Sequence, residues 1–230
     1  MFCANSTRGN MPTGNSDLVE SLDELQARLR PTLKESGFSA RGRAFNCTTS
    51  DGLIQVVKLQ MGRFDPPGTT YVPGLRENLY GRFTINLGVF VPEVASQNDG
   101  QPSRSFVHEY HCCLRTRLPI VGPEGRDVWW DIRPDDALAQ ELLLRLRRDS
   151  IPFFTKFGTR DAILNQLSDV SRSPYTTIPR IICAIILAGR GRNEDARGLL
   201  AAQARETSIP GHAAHVRRLA DRLGLGELDP

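Results

Sequence analysis

From Arg82 to Val89 apolar and polar residues alternate without a break: Phe83, Ile85, Leu87 and Val89 against Arg82, Thr84, Asn86 and Gly88. A two-residue period is the signature of a β-strand with one face turned to a core. A strand cannot satisfy its backbone alone, so this run demands partners on its edges and a cover on its apolar face. Candidate partners precede and follow it. Phe38–Thr48 is poor in helix formers and leads through the turn signal Ser50-Asp51-Gly52 into Leu53–Gln60, so the two segments read as a hairpin. A fourth strand is expected over Phe106–Leu118, after a polar loop over Ala95–Ser103, and Trp129-Trp130 closes the β region.

The cover is expected from the segment before the sheet. Leu18, Leu22, Leu25 and Leu29 recur at spacings of four, three and four, one face of a helix. Asp17 and Glu20 suit its first turn, Pro31 is expected to kink or split it, and Gly37 to stop it. The stretch between Arg63 and Tyr80 is rich in proline and glycine and reads as a long loop. After Pro134 the period becomes helical. Asp135 and Asp136 open a helix whose buried face is Leu138, Leu142 and Leu146, and Ile151-Pro152-Phe153-Phe154 is expected to end it. Further helices are expected near 159–168, 177–188, 193–206 and 211–223. The fold class is therefore α+β: an antiparallel sheet packed with an N-terminal amphipathic helix and followed by a helical C-terminal region. The organisation expected is a disordered tail over 1–15, an α+β domain over 16–157 and a helical region over 158–230.

Composition narrows function mainly by exclusion. Of 29 basic residues only Lys34, Lys58 and Lys156 are lysine, leaving 26 arginines spread along the chain rather than clustered. The net charge of +3 does not ask for a nucleic-acid partner. Five cysteines without a CxxC spacing suit free thiols in a reducing compartment. Residues 1–16 lack the apolar core of a signal peptide. The apolar stretch Ile178–Ala188, broken by Pro179 and Arg180, is far short of the ~20 residues of a membrane span. A cytoplasmic protein without a membrane partner is expected.

No phosphate-binding loop, nucleophile elbow or dinucleotide fingerprint is present, so no cofactor and no catalytic residue are assigned, and an enzyme is not the favoured reading. His108-Glu109-Tyr110-His111-Cys112-Cys113 is the segment richest in metal-ligand types. In a strand its two histidines point to opposite faces, so no metal site is expected there. Ala184 to Leu200 resembles one helix–turn–helix unit of a tetratricopeptide repeat, without a second copy. The polar positions that can converge on one sheet face are Lys58, Gln60, Arg82, Thr84, Asn86, Arg115 and Arg117. Adjacent Trp129 and Trp130 face opposite ways in an extended segment, leaving one for the core and one for a groove. Arg82, Asn86, Arg115, Arg117, Trp129 and Trp130 are accordingly the candidate site for a ligand or partner.

In order along the chain, Leu33-Lys34-Glu35-Ser36-Gly37-Phe38, Phe45, the Gln55–Gln60 strand, Phe83–Gly88, Arg115, Arg117-Leu118, Trp129-Trp130 and Pro152-Phe153-Phe154 form a familiar set. Over residues 17–160 the chain resembles the domain-of-unknown-function family 4304, a family found mainly in bacteria. The resemblance implies an α+β fold and brings no activity, cofactor or catalytic residue. Two function classes follow. The first, favoured on the missing chemistry, is a non-enzymatic protein-interaction module such as an immunity or partner protein. The second is a small-ligand or nucleic-acid binding module, or an enzyme, that uses the polar face of the sheet.

Overall fold

A computed structural model describes residues 15–63, 78–97, 106–120, 127–133 and 135–228. The tail, most of the proline-rich loop after Arg63 and most of the polar loop after Ala95 lie outside these residues. Helix α1 (Asn15–Glu35) places Leu18, Leu22, Leu25, Leu29 and Leu33 on its buried side. Pro31 does not split it. The imide costs the helix one hydrogen bond near its end, while Leu29 and Leu33 on either side stay in the core. Gly37 ends the helix with φ +86°, and Phe38 N–H reaches back to the Leu33 carbonyl at 2.9 Å.

The sheet is antiparallel and six-stranded, in the order β1 (Ser39–Arg41), β2 (Ala44–Thr48), β3 (Ile54–Met61), β4 (Arg82–Phe90) and β5 (Leu114–Arg117). A two-residue strand β6 (Trp130–Asp131) also pairs with β4. β5 takes residues 86–89 of β4 and β6 takes 82–83, so the two share one edge end to end. The apolar face carries Phe83, Ile85, Leu87, Val89, Val57, Leu59 and Phe45 into the same buried cluster as α1, as the alternation requires.

The opposite face is not open. Thr84 and Asn86 are buried, and Val56, Phe90, Ala95, Val107 and Cys112 make a second small core on that side. Its cover is the segment expected as the first part of a fourth strand. Only Leu114–Arg117 is strand; before it Glu109–His111 forms a 3₁₀ turn that folds across the sheet. Three features favour the turn. His111 and Cys112 N–H groups are satisfied locally by the His108 and Glu109 carbonyls, each at 3.0 Å. The Asn46 amide imitates a strand partner, donating to Val107 O at 2.8 Å and accepting from Val107 N at 2.7 Å. Gly88 has no side chain to keep Cys112 away: a Cβ there would lie 2.6 Å from the Cys112 sulfur. The expected separation of His108 and His111 fails for the same reason. Their rings lie 6.0 Å apart, and His108 N–H donates to His111 Nδ1 at 3.2 Å.

A short helix α2 (Pro92–Ser96) follows β4 where a loop was expected to begin. Asp135 caps α3 (Asp136–Arg145) by accepting from Leu138 N–H at 2.6 Å, and Leu138, Leu142 and Leu146 are buried as expected. This helix does not stop at Pro152. A π-turn over Leu146–Ser150 carries it into α4 (Ile151–Lys156), where the proline occupies the first turn and needs no N–H partner. The remaining helices are α5 (Arg160–Leu167), α6 (Pro179–Gly189), α7 (Asn193–Glu206) and α8 (Pro210–Arg222), close to their sequence expectations. α6 is buried over Ile181–Leu187. Among the described residues no helix is long and apolar enough to cross a membrane. The backbone of Arg115 donates to the Tyr175 carbonyl at 2.8 Å, which seats the segment before α6 along the free edge of β5.

Candidate functional site

Beside that edge lies a cleft of about 1100 Å³, open to solvent, between the β4–β5 surface, the 3₁₀ turn, the Ser173–Ile178 segment and helices α6 and α8. The register explains which sequence candidates meet there. Asn86 pairs with Arg117 and Gly88 with Arg115, so both arginines stand on the face that carries Asn86. Asn86 is fixed from β3: its amide donates to Gln60 Oε1 at 2.8 Å and its carbonyl oxygen accepts from Arg117 Nε at 3.0 Å. Arg117 also pairs with Asp127 and lies over the Trp129 ring, 5.5 Å from its centroid. A guanidinium has five N–H donors. Nε is given to Asn86 and one donor on Nη1 to Asp127, and among the described residues Nη2 has no hydrogen bond. Three contacts therefore hold one cation at the cleft in a set orientation, and little side-chain entropy remains to be lost on binding.

Arg115 is held differently. Its Nη2 donates to Glu109 Oε1 at 3.2 Å, while Lys58 Nζ approaches the other carboxylate oxygen at 3.0 Å without hydrogen-bond alignment. Glu109 is 4% exposed, a buried carboxylate held between two cations, and the trio keeps a net positive charge. Lys58 also sits over the ring of Tyr110, 4.7 Å from its centroid. Tyr110 itself is 55% exposed at the cleft.

Of the remaining candidates, Thr84 is buried in the sheet, and Arg82 pairs with Asp131 at 3.4 Å at the β6 end. The two tryptophans do face opposite ways. Trp130 packs on core residue Phe83 with tilted rings, 5.7 Å between centroids, and Trp129 goes to Arg117. Arg82, Trp129 and Trp130 thus stand apart from the cleft lining, Trp129 being linked to it only through Arg117. The lining also contains residues no sequence signal singled out: the Ser173–Thr177 segment, and His212, His215, Leu219 and Arg222 of α8. The α8 residues recur at spacings of three, four and three, the one trace they leave in the sequence.

Neither cysteine of the cleft is a poised nucleophile. Cys112 and Cys113 line it, but burial pushes the Cys112 thiol well up and the Cys113 thiol to about 12, so both stay protonated at neutral pH. Among the described residues no group of three histidine, cysteine or carboxylate side chains is placed to hold a metal. What the arrangement does offer is oriented cationic donors beside apolar surface, the chemistry of anion recognition.

The family model described as Domain of unknown function (DUF4304) matches residues 29–156. That span contains β1 to β6 and so the sheet wall of the cleft, and it ends before the helices that form the other wall. Comparison with curated proteins and with solved structures gave no match.

Proposed function

The chain belongs to domain-of-unknown-function family 4304, and from that premise, which carries no activity, we propose that it is a binding module for a small organic anion, held at Arg117 and Arg115. The observation that carries the reading is Arg117 itself, oriented at the mouth of a concave site by Asn86, Asp127 and Trp129 with donors to spare. The cleft volume of about 1100 Å³ lies slightly above the range of small-molecule sites, roughly 300–1,000 Å³. Protein-docking surfaces are flatter and larger, so the geometry supports the ligand class over the protein-interaction class that the missing motifs favour. A cytoplasmic location goes with this reading, supported by free thiols at Cys47, Cys112, Cys113 and Cys183.

The test is calorimetric titration of the full chain with phenyl phosphate, benzoate and their uncharged analogues. The charged members should bind and the uncharged ones should not. Arg117→Ala should weaken binding by about 1.5–3 kcal/mol, the worth of a charge-assisted hydrogen bond, while Arg82→Ala leaves it in place. If no small anion binds but an acidic peptide does, the partner is a protein and the small-ligand reading is wrong.

A further inference from the structure

We propose that a second cavity, at the π-turn between α3 and α4, binds the tail of a small aliphatic carboxylic acid whose carboxylate is met by Arg147. The site is separate from the β4–β5 cleft and does not rest on the anion-binding reading above. It has a volume of about 360 Å³, is open to solvent, and lies between the end of α1, Phe38 ahead of β1, β3 and the helical rod that carries the π-turn. That volume falls within the range of small-molecule sites, roughly 300–1,000 Å³. Along the rod Arg147, Ser150, Ile151, Phe154 and Thr155 recur at helical spacing, and all five line the cavity. The π-turn itself supplies Leu146, Arg147 and Ser150. A π-turn inside an α-helix is rare and is found frequently at functional sites.

The chemistry of the wall selects the ligand. Leu33, Phe38, Leu146 and Phe154 give the cavity an apolar floor continuous with the main core. Ile151 lines it too and is 57% exposed, apolar area that a bound tail takes out of water. Three polar side chains of the wall are spent within the protein. Ser36 Oγ donates to the Thr32 carbonyl at 3.0 Å, Ser150 Oγ to the Leu146 carbonyl, and Gln55 Nε2 to the Phe154 carbonyl at 3.4 Å. A polar ligand body would lose its water there with little in return. One charge remains. Arg147 is the single ionised side chain among the described lining residues; it is exposed, and no acid lines the cavity beside it. The acid next in sequence, Asp149, is taken by Arg148 at 2.8 Å. One guanidinium matches the one charge of a planar carboxylate, whereas a phosphate monoester brings about −1.5 to −2. An apolar tail with a single carboxylate end is what this lining complements.

The experiment is calorimetric titration of the full chain with butanoate, hexanoate and octanoate, each against the alcohol of equal length, with amide shifts of the labelled chain locating the site. Affinity for the acids should rise about fourfold with each added methylene, the worth of its transfer out of water. Octanoate should bind about tenfold tighter than octanol, the worth of one charge-assisted contact. Shifts should gather at Ser36, Gln55, Ser150 and Thr155. Arg147→Gln should bring octanoate down to the affinity of octanol and leave octanol unchanged, while Ile151→Asp should weaken both. Both side chains are exposed, and unchanged melting temperatures will show that the variants fold. Arg117→Gln should leave octanoate binding as it is, which separates this site from the β4–β5 cleft. Equal affinity for octanoate and octanol, or binding of neither, overturns the inference without touching the cleft reading. If Arg117→Gln weakens octanoate and Arg147→Gln does not, the acid sits in the cleft; this inference then falls and the anion-binding reading stands.

Discussion

Gly88 and Cys112 show how a single residue decides the shape of the sheet's second face. Because a Cβ at position 88 would sit 2.6 Å from the Cys112 sulfur and 2.8 Å from its Cβ, the 3₁₀ turn can lie against β4 only over a glycine. Gly88→Ala should therefore cost about 1–3 kcal/mol, the usual penalty of overpacking, measured as a shift in urea midpoint; a change within experimental error would show that the turn has room to move. The buried thiols give a second consequence at this scale. Burial raises Cys183 from 9.0 to about 11, so the folded state holds the thiol protonated where the unfolded chain already ionises. Its contribution to stability is complete below about pH 9 and is lost as pH rises toward about 11. Stability measured across that window should fall less steeply in Cys183→Ser than in the parent protein. Equal slopes would mean the sulfur is reached by water. Alternation made Asn86 legible on the polar face of its strand and put Arg115 and Arg117 on one face of theirs, but that the two faces coincide comes from the register that pairs Asn86 with Arg117. That the face would be roofed over was not legible, since it depends on Gly88 and Asn46 meeting a segment 20 or more residues further on.

At the scale of elements, long periodic segments behaved as their patterns require. The α1 stripe meets the Phe83–Val89 face in one buried cluster, so Leu25→Ala, at a position with no exposure, should cost about 2–5 kcal/mol. A loss below about half a kcal/mol in equilibrium unfolding would place the helix off the sheet. The failures were local. Pro31 and Pro152 read as breaks, yet α1 runs through one and a π-turn delivers the other to a first helical turn. Proline removes one donor; whether that ends a helix depends on the apolar residues around it, and here Leu29, Leu33, Phe153 and Phe154 hold the rod in place. The expected strand at Phe106 failed because its apolar residues are too few to set a period, which left tertiary contacts to choose the turn.

On the scale of the whole molecule, the site is built from parts that no local signal connects. The sheet wall comes from β4 and β5 and the opposite wall from α8, some hundred residues later. The sequence shows α8 as a helix, but its spacing does not say which surface the helix will face. The assembly has its own fasteners. Arg160 at the start of α5 makes a forked pair with Glu93 of α2, at 2.6 and 2.8 Å, and its N–H meets Asp51 in the β2–β3 turn at 2.6 Å. Arg160→Ala should lower unfolding free energy by about 1–3 kcal/mol, as for a charge-assisted forked contact; chemical denaturation with no shift would show that packing alone holds α5. The cleft between these walls is the proposed anion site. Nuclear magnetic resonance titration of the labelled chain with phenyl phosphate tests it most directly. Saturable shifts should gather at Asn86, Arg115 and Arg117 and at the Tyr175–Thr177 amides. Shifts gathered on another surface, or none at all, would contradict it.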